Sequence, residues 1–224
     1  HNLFRNRVPV MLIAGAAPFT SRGELTGSRD TYVHFIQQPF DQASLVRPYV
    51  KWEYTLPSGV IAPEVLRRAH SMMQSEPKGP IYLMLPREVL TDHWPEQAVH
   101  HYSGDQYGSM EMGGADPEII DALAKRILAS SNPCLITSHG GRDPDLSDAI
   151  QKLASITGLR VIDYLTFSNI GRSFPEFAGF EYNDLDKIDL GLLVDIDVPW
   201  MPLNAKLSPS TFWAHIDIDP LKTA

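Results

Sequence analysis

The sequence predicts an α/β fold built from two open parallel-sheet domains, the second Rossmann-like. Three observations predict it. Short apolar runs at 8–14, 80–85, 134–137, 160–163 and 190–195 suit strands buried on both faces. Amphipathic helical patterns alternate with these runs, and such alternation argues for an open parallel sheet. A break in composition between residues 93 and 114 parts the chain into halves, where His100, His101, Gly104, Gly108, Gly113 and Gly114 replace the apolar periodicity. The expected division is therefore a first domain over 1–97, a linker over 98–115 and a second domain over 116–224.

Each element has a local reason. The run 8–14 ends in Gly15, and 16–30 is rich in Gly, Ser and Thr, a loop composition. Residues 35–46 suit a short helix or an irregular segment. Arg47 precedes Pro48 and so avoids the helical region, which predicts an extended stretch over 49–56. Pro63 fits the first position of a helix. Val65, Leu66, Ala69, Met72 and Met73 give that helix one apolar face, and Pro77 and Gly79 stop it. The strand 80–85 closes on Pro86. In the second half, Asp116-Pro117 and Asp143-Pro144 are each an N-cap followed by proline. Ile119, Ile120, Leu123, Ile127 and Leu128 form the expected buried stripe of one helix. Leu146, Ile150, Leu153 and Ile156 form that of the other, with Gly158 as its left-handed cap. Residues 133–163 thus make one β-α-β unit, and strands over 190–195 and 213–219 follow.

Composition excludes several classes. Apolar residues are 43% and charged residues 21%, an ordinary globular balance. The net charge of −8 comes without clustered Lys and Arg, which excludes a nucleic-acid backbone as partner. The longest apolar run is far short of a membrane span, and no signal peptide is present, so the expected location is cytoplasmic. The single cysteine, Cys134, excludes an internal disulfide framework. It lies inside an apolar strand and reads as a small hydrophobe. The chain opens His1-Asn2-Leu3-Phe4 with no initiator methionine, which predicts a fragment of a longer protein.

The candidate sites are few. The turn Ser138-His139-Gly140-Gly141 lies between a strand and a helix N-terminus, where backbone N–H groups at Ser138, Gly140 and Gly141 could hold a phosphate. A plain strand-to-helix turn is the favoured explanation, because the three-glycine dinucleotide fingerprint is absent. Asp195, Asp197, Asp217 and Asp219 lie at the ends of two strands, where ligands of open α/β sheets bind. Asp217 and Asp219 could meet a ribose hydroxyl or a metal there, or serve only as caps. The eight histidines show no metal spacing, and no metal ligands are assigned. No nucleophile elbow and no phosphate-cradling Walker loop occur.

Three stretches carry a resemblance. Gly79-Pro-Ile-Tyr-Leu-Met-Leu-Pro-Arg-Glu-Val89 resembles the segment that closes the pyrimidine-binding domain in thiamine diphosphate enzymes of the acetolactate synthase (acetohydroxyacid synthase) type. Val8-Pro-Val-Met-Leu-Ile-Ala-Gly15, followed by Gln38, Arg47-Pro48 and Lys51, is similar to the run before it. His215-Ile-Asp-Ile-Asp-Pro220 looks like the end of that family's central domain. The resemblance implies part of the pyrimidine-binding domain followed by most of the central domain. It implies a 2-keto acid decarboxylase or carboligase, working with thiamine diphosphate and Mg²⁺ as a homodimer or homotetramer. It puts Gln38 near cofactor and substrate, where its amide can donate to a ketone oxygen; a Gln capping the following loop is the structural alternative. The family's activating glutamate and its Gly-Asp-Gly motif find no counterpart here, so the fragment itself is expected to be inactive.

The sequence also departs from the family. No Arg precedes Gly79, and 181–184 reads Glu-Tyr-Asn-Asp where FAD-binding members carry His-Gly, which argues against FAD. Asp197-Val-Pro-Trp-Met-Pro202 replaces a glycine-rich loop, which leaves the substrate open. The crevice near 138–141, 165–168 and 195–198 is expected to be empty and structural, because Asp195 and Asp197 would repel a diphosphate. The rival functions are a non-catalytic nucleotide-binding module and a purely structural central domain.

Overall fold

A computed structural model describes residues 1–104, 106–110, 112–164 and 170–219. The chain divides into two units, His1–Met112 and Gly113–Ala224.

In the first unit the strands β1 (Met11–Ala16), β2 (Trp52–Thr55) and β3 (Ile81–Pro86) form a parallel sheet in the order β1-β3-β2. Pro9 has no N–H to give, and β1 starts two residues after it, later than the expected run. Short helices α1 (Asn2–Arg5) and α2 (Val33–Ile36) flank β1. The pair Arg47-Pro48 opens a 3₁₀ turn, Arg47–Tyr49, so the extended stretch is shorter than predicted. Helix α3 (Ala62–Gln74) has Pro63 in its first turn and crosses from β2 to β3. It buries Val65 and Ala69 against Ile81 and Leu83, and Met73 packs beside them. Leu66 is 43% exposed, contrary to expectation. It lies about 100° round the helix from Val65, and three strands do not reach that far. Helix α4 (Arg87–Thr91) follows β3 directly. The stretch read as linker turns back along α3. Arg67 Nη2 donates to Gly104 O at 2.5 Å, Ser71 Oγ to Gly108 O at 2.7 Å, and Met110 N to Ser75 Oγ at 2.9 Å.

The second unit holds β4 (Pro133–Thr137), β5 (Arg160–Asp163), β6 (Phe177–Gly179), β7 (Leu190–Val194) and β8 (Phe212–Ile216), with α5 (Pro117–Ala129) and α6 (Pro144–Thr157). All pairings are parallel and the order is β6-β5-β4-β7-β8. Both Asp-Pro starts are caps: Asp116 Oδ1 accepts from Glu118 N at 2.8 Å and Asp143 Oδ1 from Asp145 N at 2.9 Å. Gly158 ends α6 at φ 69°. One face of the sheet packs Leu135, Val161 and Leu192 against Ile127, Ile150 and Ala154 of the two helices. On the other face Cys134, Ile136 and Ile162 meet Leu185, from the 3₁₀ turn Leu185–Lys187, with Ile188, Ile196 and Trp200. A Cβ on Gly191 would stand 2.2 Å from the Trp213 ring, so glycine lets that indole lie across β7.

Two expected stripes are only partly buried. Of the α5 residues, Ile127 and Leu123 face the core, while Ile119, Ile120 and Leu128 are 64%, 49% and 73% exposed. In α6, Ile156 is likewise exposed. Each helix touches the sheet along a single line, and residues one position off that line face outward. Strand β6 was not expected: three residues behind Pro175 are too few to show a period. The crevice segment 165–168 and Pro220 lie outside the described residues.

Candidate functional site

A recess of about 380 Å³ opens at the carboxyl ends of β1, β2 and β3 in the first unit. Its wall includes Ala16, Phe19, Gln38, Phe40, Thr55 and Met84. Gln38 is exposed, and its Oε1 accepts from Arg29 Nη2. Gln42 lies deeper in the same wall. Its Nε2 donates to Gly15 O and to Tyr82 Oη, both at 2.9 Å, and so ties the end of β1 to β3. Arg47 forks between two carboxylates: Nη1 donates to Asp41 Oδ2 at 2.9 Å and Nη2 to Glu53 Oε1 at 3.1 Å. The Asp41 bond first, then Glu53, raises the guanidinium's pKa, and the Arg47 bond lowers that of Asp41. Asp41 is therefore held in its ionised form, and the Arg47 charge is committed to its two partners.

The loop from 20 to 30, which leads into this wall, is fastened to α4. Glu88 is 3% exposed, and its Oε1 accepts from Thr20 N at 2.8 Å and Thr20 Oγ1 at 2.7 Å. Arg87 forks onto Asp30 with two bonds of 2.8 Å, and Thr91 Oγ1 donates to Thr26 O at 2.8 Å. Lys51 plays a supporting part: its Nζ donates to Ser75 O at 2.5 Å near the end of α3, and burial lowers its pKa.

In the second unit, the strand order reverses direction between β4 and β7, the switch point of an open sheet. The turn 138–141 follows β4 there. Ser138 Oγ donates to Tyr164 O at 2.8 Å, and Gly140 N to Thr137 Oγ1 at 2.9 Å. A Cβ on Gly140 would come 2.7 Å from Thr137 Oγ1 and 2.8 Å from Ile150 Cδ1, so close packing explains this glycine. Gly141 is half-buried. His139 is buried and its N donates to Asp195 O at 3.0 Å. Arg142 Nη2 meets Asp195 Oδ2 at 2.6 Å. That ion pair corrects one expectation: Asp195 is neutralised by Arg142, so its charge does not by itself repel an anion.

Other sequence candidates are placed singly. His100 and His101 are exposed. Cys134 is fully buried, and burial raises its thiol to about 11. Among the described residues, no group of three or more His, Cys, Asp or Glu is placed to hold a metal ion. No helix among them is long and apolar enough to cross a membrane. The sequence reading missed Arg29, Gln42 and Arg142, whose partners lie across loops that no short-range pattern reports.

No protein-family model matches the sequence. Glyoxylate carboligase of Escherichia coli O157:H7 is 23% identical over 160 residues, 70% of this chain and 24% of that protein. A Pseudomonas aeruginosa PAO1 protein assigned as a 2-ketoarginine decarboxylase is 24% identical over an alignment of 233 residues, 98% of this chain and 38% of that protein. Among solved structures, the thiamine diphosphate-dependent 4-hydroxybenzoylformate decarboxylase of Rhodococcus jostii RHA1 superposes with a TM-score of 0.70 at 18% identity, over 99% of this chain and 42% of that one. The chain therefore spans less than half the length of each of these three proteins. Its two parallel-sheet units have the domain fold found in thiamine diphosphate-dependent enzymes.

Proposed function

We propose that this chain is part of a thiamine diphosphate-dependent enzyme that decarboxylates a 2-keto acid or joins its acyl unit to a second carbonyl. The observation that carries this reading is the recess at the carboxyl ends of β1, β2 and β3, with the Gln38 amide on its wall. The carboligase and decarboxylases that the chain resembles support it.

The residues present fit one half of the reacting pair. An amide donor beside Phe19 and Met84 suits a neutral ring or a ketone. It does not suit a diphosphate, because Arg47, the cation of this wall, is held by Asp41 and Glu53. Diphosphate and Mg²⁺ are accordingly held by other parts of the enzyme, and this chain alone is inactive. The cofactor supplies the carbon nucleophile and takes up the electron pair left when carbon dioxide departs. Gln38 donates an N–H to the ketone oxygen as negative charge builds there. Gln42 and the Arg47 fork fix the floor against which the substrate rests.

Within this class the reading is the acetolactate synthase type, working in the cytoplasm as a homodimer or homotetramer. The second unit is a structural domain without FAD. Its turn amides at 139 and 140 are already bonded within the protein, which leaves Gly141 as the one glycine of the turn to approach a phosphate. A nucleotide-binding module is the second reading, favoured by the switch point at β4 and β7. The test is carbon dioxide release from a panel of 2-keto acids by the enzyme carrying this chain, with cofactor and Mg²⁺ added. Gln38→Ala should lower kcat by about 100-fold, the cost of one lost donor at a developing oxyanion. No release from any 2-keto acid by the wild type would refute the proposal.

A further inference from the structure

We infer that Arg29 is the positioning residue that decides which end of the Gln38 amide faces the recess. The inference rests on the reading that Gln38 donates to the substrate ketone.

An amide has an accepting end and a donating end that differ little in shape, so its orientation is set by its partners. Arg29 leaves no choice. A guanidinium carries five N–H donors and no acceptor, so it can meet Gln38 only at the oxygen. In the structure Arg29 Nη2 donates to Gln38 Oε1 and Nη1 to the His34 carbonyl. With Oε1 engaged, the amide presents Nε2 as its remaining polar end. Among the described residues no partner takes that nitrogen. Gln42, the other amide of the wall, has both N–H bonds committed to Gly15 and Tyr82. Gln38 is thus the amide with a donor to offer.

The guanidinium is itself held in place. It is half-buried and stands 5.0 Å over the Phe35 ring. The Arg29 N donates to Thr20 O at 3.0 Å. Its neighbours on either side are fastened as well. Ser28 Oγ bonds the Leu25 carbonyl at 2.9 Å and contacts Thr20 Oγ1, and Asp30 is forked by Arg87. Through Thr20 and Glu88 the arrangement reaches α4 and the end of β3. A cation on Oε1 also polarises the amide and strengthens the N–H bonds at its other end. Arg29 therefore acts on the reaction through Gln38, without touching substrate.

The test compares Arg29→Lys, Arg29→Met, Arg29→Glu and Gln38→Glu. Lysine still donates, methionine keeps bulk without polarity, and glutamate accepts only, so it would take Nε2 and turn the oxygen to the recess. In the enzyme carrying this chain, kcat should fall by about tenfold for Met and about 100-fold for Glu, while Lys recovers most of the loss and KM changes little. Gln38→Glu, which keeps the Arg29 bond but has no donor, should match Arg29→Glu. The second readout is the ¹H–¹⁵N signal pair of the Gln38 side-chain amide in the chain itself. The pair should stand apart from free-amide positions in the wild type and collapse onto them in Arg29→Met. Losses of kcat that follow thermal stability rather than the donor-to-acceptor order would overturn the inference. So would an amide pair that Arg29→Met leaves unmoved. Absence of turnover in the wild type would instead refute the functional reading, with the amide signals still deciding the orientation.

Discussion

Replacing Glu88 with alanine should release the loop between residues 20 and 30 without unfolding the rest of the first unit. Glu88 is 3% exposed and accepts two bonds from Thr20 through one oxygen, while Oε2 is buried without a hydrogen-bond partner. Two bonds to a charged acceptor contribute about 3–6 kcal/mol together, and the unpaired oxygen costs about 1–3 kcal/mol. The middle values of these two ranges leave a net loss on truncation of about 2–3 kcal/mol. Glu88→Gln keeps an acceptor but loses its charge, so it should cost about half as much. Burial pushes the Glu88 carboxyl up, but the Thr20 hydroxyl and amide pull it further down, below its ordinary value of 4.5. The sign follows: the stabilisation is present above the unfolded value and is lost as pH falls through the depressed folded one. Arg22 and Arg29 lie on the loop and offer trypsin two sites. A local opening cheaper by about 2–3 kcal/mol speeds cleavage there by about 30- to 150-fold when opening is fast. The assay is the rate of appearance of new ends after Arg22 and Arg29 in wild type, Glu88→Gln and Glu88→Ala. Rates within about twofold of one another would refute this account of the clasp.

Two further outcomes are expected. Cys134 should react with a thiol reagent at pH 8 only as fast as the second unit unfolds, because its thiol is buried and raised to about 11; its contribution to stability is present below the ordinary value of 9.0 and fades as pH rises towards 11, a fade that Cys134→Ala should remove from urea titrations. Gly191→Ala should destabilise the second unit by about 1–3 kcal/mol in urea, since the new methyl meets the Trp213 ring, and adding Trp213→Leu should restore part of the loss.

The fold was legible where a residue type acts on its own neighbours. Pro63, Asp116-Pro117, Asp143-Pro144 and Gly158 each fix backbone within one turn, and each stands at the expected helix end. The apolar runs at 80–85 and 134–137 read as buried strands for the same reason, because the residues in them need cover. What one sequence cannot report is how wide that cover is. Ile119, Ile120, Leu128 and Ile156 continue an apolar pattern, yet the sheet meets each helix along one line and leaves them outside. Strand β6 fails from the other side. Three residues are held by pairing with β5 rather than by any pattern of their own.

Of the proposed site the sequence marks only Gln38, and the reason is the same contrast between local and distant causes. A glutamine has no intrinsic orientation, and its chemistry depends on what takes its oxygen. Arg29 lies nine positions earlier in a stretch whose composition reads as plain loop, and nothing in that stretch marks it as a partner. The turn at 138–141 shows the converse. Its glycines advertise an open backbone, yet Gly140 is small because Thr137 and Ile150 crowd it, and its N–H is spent on Thr137. Glycine spacing signals room for something close by, and here a neighbouring side chain takes the room at Gly140. On the proposed reading, chemistry at the first unit's recess depends less on which polar residues line it than on which of them still have an unspent donor. By that criterion Gln42 and Arg47 are framework, and Gln38 is the group to which our proposal gives the work.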